Sequence, residues 1–293
     1  MSGALKEVRN RIKSVQSTQQ ITKAMKMVSA AKLRRAQDAI TQMRPYAAKL
    51  QEMLSNIVSN TEVVSGGALT IARPVEKVLI ILITSDRGLC GGYNANLIKL
   101  AKSTIAESYP AQQQKGNVTV WGIGKKGFES MSKQGFKTDA AFKDVFLHLN
   151  FESVQAAAQA AVEGFLRNDF DVVEIVYSEF RNAAVQRFVR EPMLPIPKVE
   201  VKKGEAKADF IFEPDKEQLV AELMPKILNT QLFKAVLDAN ASEHGARMTA
   251  MDKASENANE LIKSLKISYN RARQAAITTE LTEIVSGAAA LQG

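Results

Sequence analysis

Residues 5–57, LKEVRNRIKSVQSTQQITKAMKMVSAAKLRRAQDAITQMRPYAAKLQEMLSNI, carry one seam that never slips. Stepping alternately by three and four gives Leu5, Val8, Ile12, Val15, Gln19, Thr22, Lys26, Ser29, Leu33, Ala36, Ile40, Met43, Ala47, Leu50, Leu54 and Ile57. A mean spacing of 3.5 residues turns one helix face toward a partner helix along its whole length. At a rise of about 1.5 Å per residue the helix would be roughly 80 Å long, too long for one ordinary core to cover. A second seam lies near the other end: Met248, Met251, Ser255, Ala258, Ile262, Leu265, Tyr269, Ala272 and Ala276. Two seams around a differently patterned middle predict an antiparallel coiled coil closed through that middle.

The middle reads as α/β. Residues 78–83 are a continuous branched apolar run, the mark of a strand buried on both faces. A glycine-rich turn at residues 85–92 follows, then an amphipathic helix at 94–108. Residues 118–123, 171–177 and 186–194 read as further strands, and 125–133 and 151–167 as helices. Strands alternating with helices predict crossover units and a mostly parallel sheet. Residues 64–67 and 198–207 read as loops, and Asp215 with Gln218 as a capping box opening the last helix. Pro45 and Pro225 should bend their helices. The expected division is a helix at 1–60, an α/β domain at 70–212 and a second long helix at 213–293.

Pairing can be placed by arithmetic. If Ile57 stands beside residue 215, partners add to about 272, which sets Leu5 beside Ile267 and Met25 beside Arg247. Polar Gln19, Thr22, Lys26 and Ser29 then face residues 241–248, including His244. Residues after about 267 have no partner in the chain, yet Ile277, Leu281, Ile284, Ala288 and Leu291 continue an apolar stripe. A lone helix with such a stripe needs something to pack on. Other subunits sheathing it are the expected cover.

Of 293 residues 45% are hydrophobic and 24% charged, an ordinary globular balance. One cysteine excludes an internal disulfide, and Cys90 with His148 and His244 makes no metal-ligand spacing. The longest apolar run falls far short of the ~20 residues that span a bilayer, and no apolar block near Met1 suggests a secretory signal. The net charge of +8 is local: residues 1–57 hold eleven basic and three acidic side chains, and the remainder cancels. Such a helix suits a solvated face, an acidic protein partner or nucleic acid.

Chemistry is sparse. Gly122, Gly124 and Gly127 match the G-x-G-x-x-G dinucleotide fingerprint between a strand and a helix. No acid follows at the expected spacing with conviction, and a tight strand-to-helix turn is the favoured reading. The turn at 85–92 lacks the Gly-Lys-Ser/Thr ending of a P-loop. Cys90 has no nearby His to make it a nucleophile and reads as a small buried side chain. Asn117-Val-Thr is a glycosylation sequon only in a secretory compartment. No catalytic residue, cofactor or metal is expected.

Three stretches then carry a family resemblance: ITKAMKMV at 21–28, SDRGLCGGYN at 85–94 and YNRARQAAITTELTEIVSGAAA at 269–290. They resemble the gamma subunit of F-type ATP synthases, over the whole chain and in order. The resemblance implies two long terminal helices around a Rossmann-like domain. It implies the central rotor shaft, coupling proton-driven rotation of a membrane ring to ATP synthesis or hydrolysis in a catalytic ring. The implied partners are the hexamer of alpha and beta subunits, the epsilon subunit and the membrane c-ring, with no nucleic acid and no membrane span. Arg273, Gln274 and Thr278 match positions that engage catch loops, and Glu280 with the overhang matches the tip in its sleeve. Lys23, Met25 and Lys26 match the segment facing the acidic levers of the catalytic subunits. Phe210, Phe212 and Glu213 match the foot, where the family often carries Tyr in place of either Phe. The cysteine insertion of chloroplast relatives is absent, so the implied form is bacterial, peripheral on the cytoplasmic face of the inner membrane. The alternatives are a dinucleotide-dependent enzyme using Gly122–Gly127 and a basic nucleic-acid-binding coiled coil.

Overall fold

A computed structural model describes residues 3–59, 69–196 and 216–292. Along the chain run α1 (Gly3–Ser59), β1 (Val78–Ile83), α2 (Tyr93–Ser108), α3 (Pro110–Gln114), β2 (Val118–Ile123), α4 (Lys125–Lys133), β3 (Lys137–Asp139), α5 (Phe151–Leu166), β4 (Val172–Phe180), β5 (Gln186–Leu194) and α6 (Lys216–Gln292). A 3-10 turn at Val145–His148 precedes α5. Both Pro45 and Pro225 lie inside helices that continue past them. The expected loops at 64–67 and 198–207 fall outside the described residues, as do Asp215 of the capping box and the side chains of Gln218, Leu54 and Ile57. The chain divides into two compact units, residues 30–247 and the two ends, up to Ser29 and from Met248 on.

In the unit 30–247 the five strands lie in the order β3-β2-β1-β4-β5. β1 pairs in parallel with β2 and β4, β2 pairs in parallel with β3, and β5 closes the sheet antiparallel to β4. The centre of this sheet is β1, and all six of its side chains are buried, as a continuous Val-Leu-Ile run requires. On one face Val78, Ile80 and Leu82 meet Tyr93, Leu97, Ala101 and Ile105 of α2 and Met131 of α4. On the other, Leu79, Ile81 and Ile83 meet Ala157, Ala158, Ala161 and Phe165 of α5 and Leu228, Leu232 and Val236 of α6. The small residues of α5 let it lie close to the strands. Asn150 opens that helix by accepting the Ser153 amide on its side chain at 2.9 Å. Leu33, Ala36, Ile40 and Leu50 of α1 are buried in this unit. β3 and α3 have no counterpart in the sequence reading. Only Thr138 of β3 escapes full exposure, so an edge strand of Lys-Thr-Asp carries no apolar signal.

In the other unit the expected seam is the least exposed row of each helix. Leu5, Thr22 and Ser29 are buried on α1, and Met251, Ser255, Ala258, Ile262 and Leu265 on α6. The register differs from the arithmetic. Thr22 Oγ1 lies 2.7 Å from Ser255 Oγ, and Lys26 Nζ lies 2.5 Å from Asp252 Oδ1. Gln19 Nε2 donates to the Ser255 carbonyl at 3.4 Å and Arg9 donates to the Tyr269 hydroxyl at 2.8 Å. Paired numbers therefore add to 277–278 for Thr22, Lys26 and Arg9, which sets Met25 level with Lys253, six residues along from Arg247. The arithmetic failed because it was anchored at a chain connection. A buried polar pair fixes register instead, because a slip would strand both hydroxyls in an apolar seam. Cysteines at Thr22 and Ser255 are accordingly expected to form a disulfide under mild oxidation, since their Cβ atoms must already lie near bonding range. Cross-linking confined to residues that add to 272 would restore the arithmetic register.

Candidate functional site

The glycine turn is the first place to look for a ligand. Gly122, Gly124 and Gly127 do sit where β2 passes into α4, but each glycine answers a packing demand. A Cβ on Gly124 would stand 2.1 Å from the Thr84 carbonyl oxygen, and one on Gly127 2.8 Å from Thr84 Oγ1. A Cβ on Gly122 would stand 2.8 Å from that of Phe128. A dinucleotide site needs free amides at the helix start, and those amides are already bonded. Lys125 N donates to Asp86 Oδ1 at 3.2 Å, Lys126 N to the Ser85 carbonyl at 3.0 Å and Gly127 N to Thr84 Oγ1 at 2.8 Å. The turn at residues 85–92 thus occupies the seat that a pyrophosphate would take.

That turn is itself held from inside. Ser85 Oγ donates to the Arg87 carbonyl at 2.6 Å, and Asn94 Oδ1 accepts the Ser85 amide at 3.0 Å. Asn94 Nδ2 reaches Cys90 Sγ at 3.3 Å, and Cys90 is buried, as expected of a small structural thiol. Leu89 is forced to a left-handed φ of 63° with its side chain 65% exposed. Among the described residues no group of three His, Cys, Asp or Glu side chains is placed to hold a metal.

Buried charge gathers where α6 crosses the sheet. Asp238 is 2% exposed, and its Oδ1 has Arg44 of α1 3.8 Å away and no hydrogen bond. Burial pushes its carboxyl up to about 6, against the pull of Arg44 and Lys234, with Glu179 adding to the rise and a bond to the Phe180 backbone opposing it. Glu243 is also raised by burial, although Arg247 bonds to it. Burial, then Arg247 and Lys32, push His244 down to about 4, so the imidazole is neutral at pH 7. Nothing in the sequence flagged Asp238, because an acid one helical turn from its neighbours looks like a solvated face until the facing strand is known.

The residues singled out by resemblance fall in two places. Lys23 is exposed on α1; Met25 and Lys26 are half-buried, and the Lys26 ammonium is engaged by Asp252. Both partners are partly exposed, so the pair contributes only about 0–1 kcal/mol. Arg273, Gln274, Thr278 and Glu280 are exposed on the last stretch of α6. Thr278 Oγ1 donates back to the Gln274 backbone carbonyl at 3.0 Å, and the Gln274 side chain is exposed. From Ile277 to Leu291 every side chain is exposed, including Ile277, Leu281, Ile284 and Leu291. Phe210, Phe212 and Glu213 lie outside the described residues.

A bonded glycine turn, a paired helical seam and a bare apolar helix end define a chain built for contact with other chains. The family model for ATP synthase matches residues 4–291. The ATP synthase gamma chain of Cytophaga hutchinsonii is 50% identical over 291 residues, covering 98% of this chain and 99% of that protein. The gamma chain of Flavobacterium johnsoniae is 52% identical over 289 residues, covering 99% of each. In solved structures, a chain of the Euglena gracilis mitochondrial ATP synthase, OSCP/F1/c-ring, superposes with a TM-score of 0.67 at 21% identity, over 99% of this chain and 95% of that one. A chain of the rotor of the same synthase gives 0.65 at 21% identity, over 94% and 100%. The chain belongs to the ATP synthase gamma chain family, the non-catalytic stalk subunit of that enzyme.

Proposed function

We propose that this chain is the central rotor shaft of an F-type ATP synthase, turned by a proton-driven membrane ring and driving the catalytic ring through its conformations. The observation that carries the reading is the end of α6, fifteen residues of helix with an apolar stripe and no cover among the described residues. Sequence identity near one half over the full length to gamma chains supports it. In this reading the functional parts are the shaft helices 1–60 and 213–293 and the α/β domain 70–212. The hexamer of alpha and beta subunits sheathes Arg273, Gln274, Thr278 and Glu280. Lys23, Met25 and Lys26 face the acidic levers of the catalytic subunits, and the excess positive charge of residues 1–57 steers that encounter. Phe210, Phe212 and Glu213 meet the epsilon subunit and the c-ring. Among the described residues no helix is long and apolar enough to cross a membrane, which suits a peripheral subunit on the cytoplasmic face of the bacterial membrane.

The test is assembly. The chain is expected to co-purify with the alpha and beta hexamer, and amides of residues 277–291 are expected to gain exchange protection of about 100-fold or more in the complex, because packing suppresses local opening. Leu281→Asp should weaken that protection. Equal exchange in the free chain and the complex would exclude the sleeve, and failure to co-purify would exclude the rotor.

A further inference from the structure

Between Gln231 and Arg247, α6 lies on the α/β sheet with Leu232, Val236 and Ala239 in the core. Apolar burial is non-directional and discriminates weakly between neighbouring positions of a helix on a sheet. Directional bonds cross the same joint. Gln231 Nε2 donates to Glu191 Oε1 at 2.7 Å and to the Pro192 carbonyl at 3.1 Å. The Tyr93 hydroxyl donates to the Ala239 carbonyl at 3.0 Å, and Ser242 Oγ donates to the Ser178 carbonyl at 3.1 Å. Gly245 brings the helix against Ala183, where a Cβ would stand 3.2 Å from the backbone.

Arg247 completes the row. Its Nη2 donates to the carbonyls of Arg87 and Gly88 at 3.0 and 3.3 Å, while Nη1 is held by Glu243. The Arg247 side chain is 11% exposed, while the Arg87 and Gly88 carbonyls that it meets lie on the exposed turn, so its two bonds clamp that turn at its solvent edge. Most of the acceptors are backbone carbonyls, which cannot swing aside as a side chain would. A helix that rolled or advanced by one residue would disturb the bonds that cross the joint together, while the Arg247–Glu243 pair, lying within α6, would move with it.

We infer that this row of bonds keys α6 to the α/β sheet against slip, with Arg247 as the positioning residue that locks the turn at 85–92 to the helix. The inference rests on the rotor reading, because a shaft helix that creeps on its platform turns without delivering work.

Cys90, the chain's single cysteine, is a native reporter: it is buried under this turn, with Sγ 4.0 Å from the Arg87 carbonyl. In the full chain, maleimide modification of Cys90 should be about tenfold faster in Arg247→Ala than in the wild type, with Arg247→Lys between them, since the ammonium cannot bond both carbonyls and Glu243 in one plane. In the assembled complex in vesicles, protons pumped per ATP hydrolysed should fall about twofold or more in Arg247→Ala. Tyr93→Phe, which removes one key and keeps the ring packing, should lower the same ratio by less. If Arg247→Ala does not fold, Arg247→Lys and Tyr93→Phe carry both measurements. Unchanged Cys90 rates would overturn the lock, and faster modification with an unchanged pumping ratio would overturn the part it plays in torque. Failure of the wild-type chain to join the ring would remove the rotor reading instead, and that outcome is seen before any variant is made.

Discussion

Gly124→Ala is expected to destabilise the unit 30–247 by about 3 kcal/mol or more, through a backbone clash added to a strained φ. The glycine sits at φ 99°, which an alanine adopts poorly, and the new methyl would stand 2.1 Å from the Thr84 carbonyl oxygen. No side chain can move to relieve this contact, because the obstacle is the backbone leaving β1. The chain's one tryptophan, Trp121, reports on the same core, where Phe142 and Phe170 lie 5.2 and 5.7 Å from its ring. Its fluorescence should follow the loss in a urea titration. The substitution also separates a packing turn from a phosphate cradle: a packing turn loses stability with no ligand present. An alanine variant as stable as the wild type, together with measurable dinucleotide binding, would reinstate the enzyme reading.

The second large effect is a gain. Asp238 titrates at about 6 in the folded chain against an ordinary 3.8, so the folded state holds the proton more tightly than the unfolded one. Stability from this group therefore rises as pH falls from about 6 toward 4, and the burden is fully present above 6. Holding a carboxylate that far above its ordinary range costs about 3 kcal/mol at neutral pH. Asp238→Asn is expected to recover part of that at pH 7.5, the remainder being lost with the pull of Arg44. The gain should shrink as the pH approaches 4, where the wild-type carboxyl is protonated in the folded state and begins to be so in the unfolded one. Trp121 fluorescence in urea at a series of pH values would measure it. A variant whose stability runs parallel to the wild type from pH 4 to 7.5 would show that Asp238 does not titrate in this range.

The strands of the α/β part were legible because their signals are local. Val78–Ile83 is an unbroken branched run, and Gly124 marks the start of α4, so β1, β2, α4 and β5 stand at the expected residues. β3 escaped because its three residues show no alternation, only pairing with β2. The seams were legible to the residue, yet their register was not, because periodicity fixes which face is buried and says nothing of how far one helix is advanced on the other. That information sits in Thr22 and Ser255, which read as weak seam positions until they are seen bonded to each other. The candidate site divides the same way. The bare stripe after Ala276 follows from counting, whereas the grip of Arg247 on the turn at 85–92 joins residues 160 apart through geometry alone.

The exposed end of α6 also bears on how much of this chain a cell can tolerate. Ile277, Leu281, Ile284, Val285 and Leu291 are exposed on a helix end that none of the described residues covers. In the proposed rotor, a molecule without its sleeve would carry a sticky end that invites aggregation or attack by proteases. Copies made in excess of the sheathing subunits are a burden rather than a reserve. If the proposed sleeve covers this end, synthesis of the chain has to be matched to that of its partners, and the same apolar stripe that would seat a copy exposes a surplus one to removal.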